Sequence, residues 1–292
     1  MCGRYTLHQD SENLATRYKL SSKPESIRDN FNVAPGHFMP VVVEEDGKPK
    51  LEMMKWGLVP VWAKDPNIGY KMINARSETI FEKPAWRSVI LKKRCLIPAD
   101  GFYEWKKFMT DEKERKQPFY IHPKQEEIFS FAGVWEAWKD SENNIWKTYS
   151  IITTEPNKEM SSIHDRMPVI LHPEDESSWL ESSRVTRDSI EPLLRPLEDN
   201  ALEMYKVSED VNTVKNNDKH LLVALENWTP TITRVFNQPG IYGESRSWLH
   251  RYFLLYHFYR TLIFRLRNVK VPSLLQEWWF AVQMIQQGQN EV

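Results

Sequence analysis

Seven runs of β-forming residues, PVVVEE, LEMMKWGLVP, KRCLIPA, GFYEWKKF, QPFYIH, IFSFAGVWEAW and WKTYSIITTE, lie between turn signals along the first half of the chain. Most are separated by hairpin-scale intervals, and no strand–helix–strand rhythm joins them, which favours a curved antiparallel or mixed sheet. Helical patterns are fewer. Residues 10–19 start at Asp10 or Ser11 as N-cap, and PNKEMSSI, PEDESSWLES and TRDSIEPLLR follow. The expected class is α+β, with curved, mostly antiparallel strands forming the core and helices flanking it.

The 292 residues carry 39 Lys plus Arg against 40 Asp plus Glu and only two cysteines, Cys2 and Cys95. That cysteine usage fits a reducing compartment, and no apolar segment follows the initiator Met, so a cytoplasmic location is expected. Residues 248–266, WLHRYFLLYHFYRTLIFRL, are apolar but are broken by His250, Arg251, His257, Arg260 and Arg265. Each cation near a bilayer centre costs roughly 2.5–3.5 kcal/mol, so no membrane span and no membrane partner are expected. Walker, GxGxxG and HExxH motifs are absent, and neither a metal nor a cofactor is expected.

The net charge of −1 is uneven. Residues 226–292 hold seven Lys plus Arg and four acids, a balance of +3, which leaves −4 for residues 1–225. Aromatic residues are also denser after position 226, where a boundary is placed between a body, 1–225, and a basic, aromatic-rich extension, 226–292. From Trp248 onward Tyr252, Leu255, Tyr256, Tyr259, Leu262, Ile263 and Leu266 share one helical face, which predicts a helical C-terminal appendage.

Cys2 follows Met1 directly, and aminopeptidases generally remove an initiator Met before so small a residue. The exposed terminus would then carry an amine and a thiol on adjacent carbons, with reference pKa values of about 7.7–8.0 and 8.5. Such a pair condenses with an aldehyde to an imine, and the sulfur then closes a thiazolidine. From its position alone a second-position Cys reads first as accidental, and Cys95, within the apolar run KRCLIPA, reads as a core thiol. Groups able to move protons sit in three other contexts. Asn74 and Arg76 lie in KMINARSE, Glu104 lies among aromatics in DGFYEW, and His164 lies in IHDRMP beside Asp165 and Arg166. Each of these has an ordinary structural reading; together with Cys2 they outline an acid–base site for an aldehyde substrate.

The ordered segments MCGRY, WGLVPVW (56–62), INARSET (73–79), RCLIPADGFYEW (94–105), FAGVWEAW (131–138), SIITTEPN (150–157), IHDRMPVIL (163–171) and VNTVKNND (211–218) resemble the SOS-response-associated peptidase (SRAP) family. The resemblance runs from residue 2 to about 225. It implies a single SRAP domain with a barrel-like core and a groove for single-stranded DNA, and an activity that captures abasic sites in that DNA covalently. The aldehyde of the opened abasic sugar is the electrophile an aminothiol terminus calls for. On the same resemblance Cys2 is the crosslinking nucleophile, Asn74 orients the terminus, Glu104 shuttles protons and His164 assists opening of the sugar ring. Arg4, Arg76 and Arg166 are the implied phosphate contacts. Trp56 and the apolar residues of its loop either wall off or stack on bases, worth roughly 1–3 kcal/mol per stacked base, or belong to the core. The resemblance does not reach 226–292. Two other functions use the same residues: a thiol peptidase or autoprotease with Cys2 as nucleophile, and a non-catalytic single-stranded DNA binding module.

Overall fold

The computed structural model describes residues 2–20, 26–110, 113–183 and 185–225. All lie in the first of the two units into which the chain divides, Met1–Trp228. The helices expected within 226–292 fall outside the described residues. Among the described residues no helix is long and apolar enough to cross a membrane.

In chain order the strands are β1 (Arg4–Leu7), β2 (Asn30–Val33), β3 (Phe38–Glu45), β4 (Lys48–Trp56), β5 (Asn74–Arg76), β6 (Arg94–Ala99), β7 (Gly101–Thr110), β8 (Lys113–Pro123), β9 (Phe129–Lys139), β10 (Ile145–Thr154), β11 (Met167–Pro168), β12 (Ile170–Leu171) and β13 (Leu202–Lys206). The helices are α1 (Ser11–Arg17), α2 (Glu176–Leu180) and α3 (Arg187–Ile190). Asp10 caps α1 by accepting the Glu12 and Asn13 amides at 2.9 and 2.7 Å. Thr186 and Ser189 form a capping box on α3. PNKEMSSI departs from the helix expected there. Its Asn157 side chain binds the Met160 amide and the Leu197 and Glu198 carbonyls, leaving only a 3-10 turn at Met160–Ser162.

Strands β10, β4, β3, β6 and β9 are hydrogen-bonded in that order, and β9 pairs back onto β10, so five strands close into a barrel. An odd number of strands cannot close with every neighbour antiparallel. The required parallel pairing is β4 with β10, which aligns Lys55 with Thr148 and Trp56 with Tyr149. The mostly antiparallel, barrel-like α+β core is therefore as expected. Closure also removes the free edges that an open sheet would leave exposed. A second, antiparallel sheet has the order β13-β8-β7-β1-β2. Strand β5 adds to β10 in parallel, with Asn74 opposite Ile151 and Arg76 opposite Thr153.

The two sheets meet at Tyr5. Its buried hydroxyl lies 2.7 Å from that of Tyr149 on β10, and its ring meets Trp56 edge-on at 5.2 Å and Phe131 at 5.9 Å. Edge-to-face pairs of this kind add to the stabilisation from burial alone. Together they fix strand β1, and hence the residues that precede it, against the barrel.

Candidate active site

Cys2 lies at the seam between the sheets, fully buried. Asn74, carried by β5 on the barrel side, donates its Nδ2 to the Cys2 carbonyl at 2.9 Å. The Cys2 Sγ faces the Arg4 carbonyl at 3.8 Å. The Asn74 Oδ1 is buried and has no hydrogen-bond partner among the described residues. Glu104 approaches from the other sheet. Strand β7 pairs with β1 so that Tyr103 opposes Arg4, and the buried Glu104 side chain follows one residue later. Burial pushes the Cys2 thiol well above the ordinary thiol range, and the Glu104 carboxylate pushes it further in the same direction.

The C-terminal end of β10 gathers the remaining groups. Arg166 donates to the Thr153 carbonyl at 2.6 Å and grips the Glu78 carboxylate with both terminal nitrogens. Burial opposes ionisation of Glu78, but the Arg166 hydrogen bonds outweigh it and hold the carboxyl below its usual range. His164 accepts the Arg166 amide at Nδ1, at 3.0 Å, and Asp165 lies 2.8 Å from the same nitrogen. Arg166 thus ties the His164 segment to Glu78 and β10. A phosphate-binding guanidinium was expected at this position; without DNA its partner is the half-exposed Glu78 carboxylate. Arg76 is exposed at the end of β5. Arg4 is half-buried with its Nε unpartnered, and burial lowers its pKa.

Trp56 does not face a ligand. Its indole is 1% exposed, donates Nε1 to the Ile73 carbonyl at 3.0 Å and lies parallel to Tyr149 at 6.4 Å. Of the two roles open to it, this burial favours core packing. Trp56→Ala should destabilise the fold by about 3–5 kcal/mol, measured by urea unfolding. Trp56→Phe should leave single-stranded DNA affinity unchanged, and a selective loss of affinity would restore a ligand contact.

The residues that project outward from the same loop are Val61 and Trp62, the latter 57% exposed. Gly57, at φ +116°, ends β4; a Cβ there would sit 2.7 Å from the Gly69 carbonyl oxygen, so the turn demands glycine. The Gly57 amide binds the Tyr149 carbonyl, the Val59 amide binds the Thr148 hydroxyl, and the Ala63 carbonyl receives the Trp138 Nε1. The loop is rigidly held and Trp62 stands on it. The sequence pointed to Trp56 together with the apolar residues of its loop, and Trp62 is the ring among them that faces outward.

Comparison with known proteins agrees with this geometry. The family model described as SOS response associated peptidase (SRAP) matches residues 1–214. Abasic site processing protein YoqW of Bacillus subtilis is 42% identical over 224 residues, spanning 76% of this chain and 99% of that protein. Abasic site processing protein HMCES of Gallus gallus is 32% identical over 273 residues, spanning 79% of this chain and 80% of that protein. A solved structure of a Bacteroides thetaiotaomicron protein superposes with a TM-score of 0.69 at 30% identity, covering 76% of this chain and 99% of that one. The barrel, the seam carrying Cys2, Asn74 and Glu104, and these matches together place the chain in the SRAP family.

Proposed function

We propose that this protein processes abasic sites in single-stranded DNA by covalent capture through Cys2, after removal of Met1. The observation that carries the reading is the Asn74 hydrogen bond to the Cys2 carbonyl, with the buried Glu104 acting on the thiol from the opposite sheet. In the first step the Cys2 amine adds to the sugar aldehyde, and loss of one water leaves an imine. In the second, the sulfur adds to the imine carbon while its proton passes by way of Glu104 to the imine nitrogen. The ring closes with no external oxidant or reductant. Asn74 fixes the terminus so that the amine meets the aldehyde in one orientation, and its spare Oδ1 can accept from that amine. His164 acts as the acid–base group that opens the sugar.

Arg4 and Arg76 take the flanking phosphates. An anion would satisfy the unpartnered Arg4 Nε, and charge-assisted bonds of this type are about twice as strong as neutral ones. Trp62 supplies an apolar surface beside the lesion. A thiol peptidase would use the same Cys2 and Glu104, and the electrophile separates the two readings: an abasic strand leaves a stable adduct, whereas a peptide turns over. Denaturing electrophoresis tests the reading directly. Processed protein mixed with an abasic single strand should give a slower band that survives denaturant, whereas the unmodified strand gives none. No band, or steady turnover of a peptide substrate by Cys2 instead, contradicts it. A band of equal intensity with an abasic duplex contradicts the single-strand preference.

Residues 1–225 are proposed to be the complete capturing unit, with 226–292 appended. A protein truncated after residue 225 should fold and crosslink at an unchanged single-turnover rate. For every phosphate that the extension's +3 balance neutralises, truncation should lower the salt slope by about 0.7. A folded truncation without crosslinking chemistry would contradict the assignment.

A further inference from the structure

The outer barrel surface beside this site carries aromatic rings that the fold does not use. Phe38 opens β3 at 48% exposed, Tyr70 lies in the connection between β4 and β5 at 57%, and Trp146 lies near the start of β10 at 39%. Phe38 is the cross-strand partner of Lys55, and Lys55 is aligned with Thr148 on β10. Two residues earlier on those last two strands, Met53 and Trp146 continue the same face.

Phe38 and Trp146 have ring centroids 6.2 Å apart. The Lys55 ammonium lies 5.9 Å from the Tyr70 ring centre and 5.8 Å from that of Trp146. Two of the rings are held in place. Trp146 donates Nε1 to Asp140 at 3.0 Å, and the Tyr70 ring abuts Gly36, where a Cβ would stand 3.2 Å from its hydroxyl.

The patch is continuous with the candidate active site. Phe38 follows His37, whose ring accepts the Ala34 amide at 3.4 Å and lies within electrostatic reach of Arg4. The His37 carbonyl receives the Trp56 amide, and the Gly36 amide binds the Trp56 carbonyl. The turn at residues 34–37 thus links the neighbourhood of Arg4 to Phe38 and the rings beyond it.

We propose that Phe38, Tyr70 and Trp146, with Lys55 between the last two, form a stacking platform for the bases of the single strand that flanks the abasic nucleotide. This rests on the reading of the function given above. The chemistry favours a nucleic acid strand over an apolar partner. A cation set among fixed, separated rings matches an alternation of phosphates and base faces, and every base offers a π-face, so stacking is sequence-tolerant. The rings are ordered before the strand arrives, which lowers the cost of binding.

The test uses oligothymidylates carrying one abasic site, with two nucleotides on each side, or with one flank or the other extended to ten. Half-saturation and maximal rate of crosslinking are measured for the full chain and for Tyr70→Ala, Trp146→Ala and Lys55→Ala. Extension of one flank should tighten half-saturation for the wild type. Each ring variant should weaken binding of that long oligonucleotide by roughly 5- to 100-fold, leaving the short one and the maximal rate unchanged. Trp146→Phe should retain the gain, which separates a stacking defect from a folding defect, and Lys55→Ala should reduce the salt slope by about 0.7.

Variants that keep the whole flank-dependent gain, or a wild type that gains nothing from either flank, would overturn the proposal. So would a dimer by sedimentation that Trp146→Ala converts to monomer, because a second copy would then be the occupant. If the wild type fails to crosslink, the functional reading has failed instead. Anisotropy of a plain labelled oligothymidylate on the same variants then decides the platform by itself: weakening by the ring variants supports it, and unchanged affinity overturns it.

Discussion

Cys2→Ser should form no adduct with abasic single-stranded DNA that survives denaturation unless borohydride is added first. The α-amine persists in this variant, so the imine still forms, but a hydroxyl does not close the sulfur-containing ring and the imine hydrolyses when the protein unfolds. The substitution is nearly isosteric in a fully buried slot whose sulfur faces the Arg4 carbonyl. A hydroxyl can donate to that carbonyl, and the fold is expected to persist. Electrophoresis with and without borohydride, beside a melting curve, checks both parts. An untrapped adduct as durable as that of the wild type would show that ring closure is not what makes the link stable.

Glu104→Gln should slow crosslinking and its reversal by about 10²- to 10⁴-fold, the range typical of a positioned acid or base. The amide keeps the volume of the carboxylate within its buried position on β7 but neither takes a proton from the thiol nor returns one to nitrogen. Affinity for undamaged single-stranded DNA should change little. Single-turnover rates and anisotropy on the same preparation separate these quantities. If both fall together, Glu104 supports the architecture and does not move protons.

The strands most legible in the sequence are those whose apolar residues face the barrel. PVVVEE, KRCLIPA and IFSFAGVWEAW became β3, β6 and β9 because their burial patterns are nearly continuous. Short RYTL and NFNV, now β1 and β2, carry no such run. They are strands only because β1 is held by β7 on one side and β2 on the other. The parallel pairing of β4 with β10 joins residues more than ninety positions apart, and no local periodicity announces it.

The site divides in the same way. Cys2, Asn74 and Glu104 were legible because each is a polar or nucleophilic group in an apolar or terminal setting, and the seam brings the three together. Trp56 and Trp62 are indistinguishable as residue types. Gly57 decides between them by turning the chain, so one indole packs against Tyr5 and the other faces outward. Arg166 has the local setting of a phosphate ligand, and only the fold brings up its partner Glu78, eighty-eight positions earlier.

Intact-mass spectrometry of the crosslinked product tests the central claim most directly. The account predicts a species whose mass is the chain without Met1, plus the abasic oligonucleotide, less one water, since imine formation expels one water and ring closure expels nothing. Retained Met1 in the adduct, or a conjugate mass that has lost no water, would contradict capture by an amine and a thiol on the same residue.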